Sequence, residues 1–295
     1  MKLVHCLLLI VFTSRLGYAD PSGLTGGDTV KENLTDTKAE DILIAIPSFI
    51  KAGHITVFMA PLAGYLSDNL PHKVQFRAPY SYSLLLQGLL AGEYQLAFLP
   101  PHLAFHQIDK NGFTPIVKTA RNASIVIVTS DRSGINSLSQ LRQGTLAVES
   151  YFSLAYQDVV SHLYTTSPEL LPQLQIKEMT KENMILAVLN RRVTAAAIGK
   201  HEMNLIVENV RRELRVIYSG ELWPGWIIIA SPEASPALTS RLQALMLDFE
   251  YLERGNTFVE STGIGGYEVV MPSDLSRLRK LEAWFDEKQI EPVEK

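Results

Sequence analysis

Four groups of residues have the types and spacing to bind or transform a small molecule. Ser150, Tyr151 and Ser153 stand where the strand pattern TLAVES hands over to a helical pattern. Hydroxyls there join exposed backbone amides and the positive end of a helix dipole, a setting that suits an anion. The alternative is that Ser150 is only a helix cap. Tyr82 opens an amphipathic helix; its hydroxyl bonds a ligand oxygen, or its ring begins the core stripe. Ser48 and Phe49 follow the first apolar strand, at the carboxyl end where open α/β sheets take ligands. Lys181 offers a cation to an anionic ligand, or is a solvated surface lysine.

Other candidates carry less. His102 and His106 are four apart, which is metal-ligand spacing on a helix. No zincin-type glutamate and no cysteine accompanies them, so no metal site is assigned. Trp223 and Trp226 flank Pro224-Gly225 and either stack on an organic ligand or anchor a hinge; the neighbouring apolar run favours the hinge. There is no G-x-S-x-G elbow and no phosphate-cradling glycine loop, and the carboxylates are scattered. No catalytic residue and no cofactor is therefore assigned, and no enzyme is expected.

The elements that must position these residues are read best from residues 82–101, YSLLLQGLLAGEYQLAFLPP. Tyr82, Leu85, Leu86, Leu89 and Leu90 share one helical face. Gly92 can take the positive φ of a helix stop, QLAFL is a short buried strand, and Pro100-Pro101 ends it. The same grammar recurs about a hundred residues later. There Met184, Ile185, Val188 and Leu189 form the stripe and VTAAAIG the strand. Two such units predict an α/β protein with two lobes of similar construction.

Composition sets the outer bounds. A chain of 295 residues with 46% hydrophobic and 20% charged residues is an ordinary globular protein with ample core. A net charge of −4 gives no footprint for nucleic acid. Residues 1–19 read as a secretory signal, with Lys2, an apolar run too short to span a bilayer, and small residues before a cut after Ala19. Cys6 is the only cysteine and falls inside it, so export without disulfides points to a bacterial periplasm. Residues 20–40 are polar and glycine-rich and read as a flexible leader.

The strand and helix patterns place one lobe in residues 41–119 and a second in 122–218. The stretch from 226 to 295, with helices over 235–253 and 273–287, has too little sheet to stand alone and is expected to return to the first lobe. Strands LRVIYS and WIIIAS are expected on either side of a break at residues 220–225. Two crossings, near 119–124 and 219–226, would leave a cleft that hinges on a ligand.

The chain resembles the phosphate/phosphite/phosphonate-binding proteins of bacterial ABC importers, a group within the type II periplasmic-binding-protein fold. The matching pieces are Tyr82 followed by Gly92, LAFLPP, SGINSLSQL, AVLNRRVTAAAIG and GIGGYEVVMPSDLSRLRKL, in the family's order. The resemblance implies a periplasmic solute-binding protein, working as a monomer with a membrane permease and taking a small anion or organic solute between its lobes. The alternatives are a sensor docking on a receptor ectodomain and a periplasmic enzyme. The departures are Gln95 and Thr194 where the family has aspartates, Lys181 where it has a histidine, and a Ser150–Ser153 run poor in hydroxyls. Together these departures, the missing hydroxyls and the replaced histidine as well as the neutral residues at 95 and 194, imply a small oxyanion or altered organic solute, with phosphonates bound weakly.

Overall fold

The computed structural model describes residues 41–47 and 52–288. The expected signal peptide, the leader, Ser48 and Phe49 lie outside the described residues. Strands β1 (Ile42–Ala45), β2 (Val74–Arg77), β3 (Leu96–Leu99) and β4 (Thr114–Thr119) come first. β5 (Ala123–Ser130), β6 (Thr145–Val148), β7 (Gln175–Glu178), β8 (Ala195–Gly199) and β9 (Leu214–Trp223) follow. β10 (Ile227–Ala230) and β11 (Tyr267–Glu268) come last.

They form two sheets. The first is ordered β11-β4-β10-β3-β1-β2 and the second β7-β6-β8-β5-β9. In each sheet three strands run parallel, and the next is antiparallel to its neighbours on both sides: β10 in the first, β5 in the second. The chain thus crosses from β4 to β5 and back from β9 to β10. At these crossings the Thr119 amide donates to the Trp226 carbonyl at 2.8 Å, and the Trp226 amide donates to Thr119 Oγ1 at 3.0 Å. A Cβ on Gly225 would run into the Thr119 and Arg121 carbonyls, so only glycine lets the two crossings lie this close.

The helices are α1 (Ala52–Asn69), α2 (Tyr82–Leu90), α3 (Pro101–Asn111), α4 (Leu154–Thr166), α5 (Lys181–Leu189), α6 (Lys200–Leu205) and α7 (Glu208–Arg211). After them come α8 (Pro236–Phe249), α9 (Glu253–Thr262) and α10 (Pro272–Lys288). Their ends follow local chemistry. Ser81 caps α2 by accepting from the Leu84 amide at 3.1 Å, and Gly92 takes φ 76° just past it. Pro101 opens α3, where a missing N–H breaks no helical bond.

Two expectations are corrected. β9 does not stop before Gly220; β5 pairs it as far as Trp223, and Gly220 leaves room for the Asp158 carboxylate. The helix expected over 235–253 ends at Phe249, and α9 starts separately at Glu253.

One hydrophobic core runs across both lobes. It joins Leu99, Leu103 and Phe105 of the first to Ile127, Leu146 and Val159 of the second, with Leu278, Leu281 and Phe285 of α10. The outer face of each sheet has a core of its own.

Candidate functional site

The carboxyl ends of β6 and β8 bring three charged side chains together. Lys181, the first residue of α5, places Nζ 2.5 Å from Glu202 Oε1 and 3.4 Å from Glu149 Oε2. Glu149 directly follows β6. Glu202 sits in the first turn of α6 and accepts the Gly199 amide at 3.1 Å. Burial pulls the ammonium down, but Glu202 and Glu149 outweigh it and hold its pKa above the usual lysine range. Burial raises the Glu149 carboxyl; Lys181 opposes that rise and Glu202 adds to it. Two carboxylates share one ammonium, so the cluster carries a net charge of about −1 when all three are ionised.

Tyr82 faces this cluster from the other lobe. Burial first, and then the charges of Glu149 and Glu202, push its phenol well above its ordinary value, so the hydroxyl is a donor at any physiological pH. Tyr82 thus lies within the field of Glu149 and Glu202, and Lys181 meets these carboxylates of its own lobe before any ligand. Neither Glu149 nor Glu202 was singled out from the sequence. The signal was available, because each follows within three residues of a strand's carboxyl end.

The turn before α4 is buried and largely self-satisfied. Ser150 and Ser153 are both buried. Ser150 Oγ accepts the Phe152 amide at 3.1 Å, and Ser153 Oγ donates to the Ser150 carbonyl at 2.6 Å. Ser153 also caps α4 by accepting the Tyr156 amide. The Tyr151 amide donates to Glu178 at 2.7 Å, its hydroxyl donates to the Ile176 carbonyl at 3.3 Å, and its ring stands edge-on to Tyr156. Ser153 rather than Ser150 is thus the helix cap, and Tyr151 is tied to β7.

His102 and His106 turn to different partners. His102 Nε2 meets the Phe152 carbonyl at 2.8 Å and His106 Nδ1 meets Glu282 at 2.6 Å. Among the described residues no group of three or more His, Cys, Asp or Glu side chains could hold a metal. Trp223 is buried with its indole N–H donated to Asp158 at 2.7 Å, and Trp226 packs edge-on against Phe98.

Gln95 and Thr194 lie at the opposite ends of the strands from this cluster. Each immediately precedes its strand, β3 or β8, and accepts a backbone amide there: Leu43 at 2.9 Å for Gln95, Thr145 at 3.0 Å for Thr194. Reading their neutrality as evidence about the ligand is corrected accordingly; their job is to seal the sheets.

Several solved structures share this architecture. PhnD1 of Prochlorococcus marinus in complex with methylphosphonate superposes with a TM-score of 0.73 at 11% identity, over 83% of this chain and 98% of that one. A binding protein component of an ABC phosphonate transporter from Pseudomonas aeruginosa gives 0.68 at 16%, over 85% and 88%. The alkanesulfonate-binding protein SsuA of Xanthomonas axonopodis pv. citri, bound to MOPS, gives 0.60 at 16%, over 86% and 95%. These likenesses are of fold, that of the type II periplasmic binding proteins. No curated protein sequence matches the chain. Residues 44–275 match the family model of the ABC transporter phosphonate periplasmic substrate-binding proteins, and the chain belongs to that family.

Proposed function

We propose that this protein is exported to the periplasm and captures a small solute bearing both an oxyanion and a cationic group, for delivery to an ABC permease. The single observation that carries this reading is the Glu149–Lys181–Glu202 cluster facing Tyr82. A net-negative, half-buried cluster repels a bare anion and rewards a ligand ammonium, which would share the carboxylates with Lys181. The oxyanion end would lie toward the start of α4. The Tyr151, Phe152, Ser153 and Tyr156 amides there already have acceptors, which leaves those of Leu154 and Ala155, with the dipole behind them, for the ligand. Ser48, Phe49 and Tyr82 would form the first-lobe wall. Ser150, Tyr151, Ser153 and Lys181 would form the second, the two serines acting mainly by shaping the turn. The protein is proposed to work as a monomer, without a cofactor and without turning its solute over.

Titration calorimetry with phosphate, phosphite, methylphosphonate and 2-aminoethylphosphonate tests the reading. 2-Aminoethylphosphonate is expected to bind tightest of the four. Glu149→Gln is expected to weaken it about tenfold or more, and methylphosphonate by less than about threefold. Equal affinity for the two phosphonates would remove the cationic requirement. No binding of any of the four would remove the oxyanion.

A further inference from the structure

Two histidines occupy equivalent places in the two lobes, and each bonds a residue outside its own lobe, His102 in the facing lobe and His201 on the crossing. His102 is the second residue of α3, after β3, and His201 is the second residue of α6, after β8. They are 99 residues apart (102 to 201), the same offset that relates the first residues of α2 and α5 (82 to 181). His102 is 7% exposed and joins the first lobe to the Phe152 carbonyl, in the turn that opens α4 of the second. A carbonyl only accepts, so Nε2 carries the proton. Its Nδ1 is buried without a partner. His201 Nδ1 lies 2.5 Å from Arg121 Nη1, on the crossing, and Arg121 in turn gives its amide to the Ile264 carbonyl of the first lobe. A guanidinium only donates, so His201 Nδ1 must be bare.

In both rings it is Nδ1 that has no place for a proton, although the bond from His102 Nε2 to the Phe152 carbonyl by itself favours the charged ring. A proton added to His102 Nδ1 would be a buried donor with no acceptor; one added to His201 Nδ1 would face a guanidinium. We propose that His102 and His201 are a proton-operated latch, tying the lobes together when neutral and letting them part when protonated.

The surrounding charges do not compensate. On α3, His106 is the one charge that registers on His102, and it opposes protonation; Glu282 of α10 is engaged with His106, and Arg279 of α10 with Asp109. Across the gap, Glu178 is bonded to the Tyr151 amide and Glu149 to Lys181. Around His201, burial and then Arg121 lower its pKa, and Glu202 only partly offsets them. Burial pushes His102 down to about 4. Once the lobes part, His102 returns toward the ordinary value of about 6.5. The joined form thus binds fewer protons, and its advantage is full at pH 7.5 and fades as pH falls from 6.5 toward 4. For His102 alone, linkage gives a fall of about tenfold in the joined-to-parted ratio at pH 5.5.

The experiment needs no ligand, so it stands or falls apart from the solute assignment. Spin labels go on Leu90→Cys and Leu186→Cys, exposed positions in the two lobes, with Cys6 replaced by serine. The interlobe distance is expected to lengthen between pH 7.5 and 5.0. In His102→Gln, His201→Asn, which keep a donor and an acceptor at the same places without titrating, it is expected to stay short throughout. No change in the parent chain, or the same change in the double variant, would overturn the latch.

Discussion

Gln95 and Thr194 hold the same place in the two sheets. Each donates its own amide to the parallel neighbour strand, to Leu43 at 3.1 Å and Thr145 at 2.9 Å, and accepts that residue's amide with its side chain. The side-chain oxygen therefore satisfies the amide at the open amino end of the ladder, beyond the reach of the neighbouring strand's carbonyls. An aspartate, a glutamine and a threonine can all do this. The identity at that position speaks about sheet closure, and the Glu149–Lys181–Glu202 cluster lies at the other end of the strands.

Thr194→Val removes the acceptor at nearly constant shape. It is expected to lower stability by about 1–2 kcal/mol, because the Thr145 amide is left without its partner. Thr194→Ser should stay within about 0.5 kcal/mol of the parent. Urea denaturation measures both, and solute affinity should not move. A change in affinity without one in stability would return Thr194 to the binding site.

The repeat also predicts a stabilising change. Gly92 at φ 76° and Arg191 at φ 56° are 99 residues apart (92 to 191), each just past its helix. The first unit uses glycine for this left-handed position and the second uses an exposed arginine. Arg191→Gly is expected to raise stability by about 0.5–1 kcal/mol, and Gly92→Ala to lower it by about 1 kcal/mol. Opposite signs in thermal or urea melts check the pair; a loss in both would mean that the Arg191 side chain matters more than its backbone.

Much of this was legible because the repeated unit is written in local signals. Tyr82 to Leu90, Gly92, the LAFL strand and Pro101 follow from helical spacing, a positive-φ stop and proline chemistry. The site was less legible, because its charges come from separate strand ends. Lys181 meets Glu149 and Glu202 only once β6 and β8 pair side by side. Periodicity also hid β9, whose continuation through Gly220 depends on the partner strand and on Asp158 behind it.

Asp158 shows how burial sets a pH dependence. It accepts from the Trp223 indole at 2.7 Å and the Tyr218 hydroxyl at 3.2 Å, yet burial outweighs both and raises its pKa. The folded state then holds this proton more tightly than the unfolded state. The Asp158 contribution to stability must fall as pH rises from about 4 through its folded pKa. Asp158→Asn can still accept from Trp223, and its amide can donate to the tyrosine oxygen. Its stability relative to the parent is expected to improve from pH 4 to pH 7. Parallel curves would refute this. Asp158→Ala strands both donors and should cost about 2–4 kcal/mol.

The last prediction concerns α10, which touches both lobes. On α3 of the first lobe it meets His106 through Glu282 at 2.6 Å and Asp109 through Arg279 at 3.3 Å. On the second, Trp284 stands edge-on to Tyr164 at 5.3 Å, and Arg277 lies over the Trp223 ring at 5.1 Å while pairing with Glu221. Between these rows Leu278, Leu281 and Phe285 are buried in the shared core. Leu278→Ala should therefore cost about 2–4 kcal/mol in one cooperative transition, since both lobes lose packing together. Arg277→Ala with Trp284→Ala removes only the second-lobe row, and half-exposed pairs of this kind contribute about 1 kcal/mol or less each. Their loss should show in local opening: hydrogen exchange is expected to rise along α4 and β9 and to stay unchanged along α3. An equal rise in α3, or no rise in α4, would mean that α10 belongs to one lobe and does not couple the two.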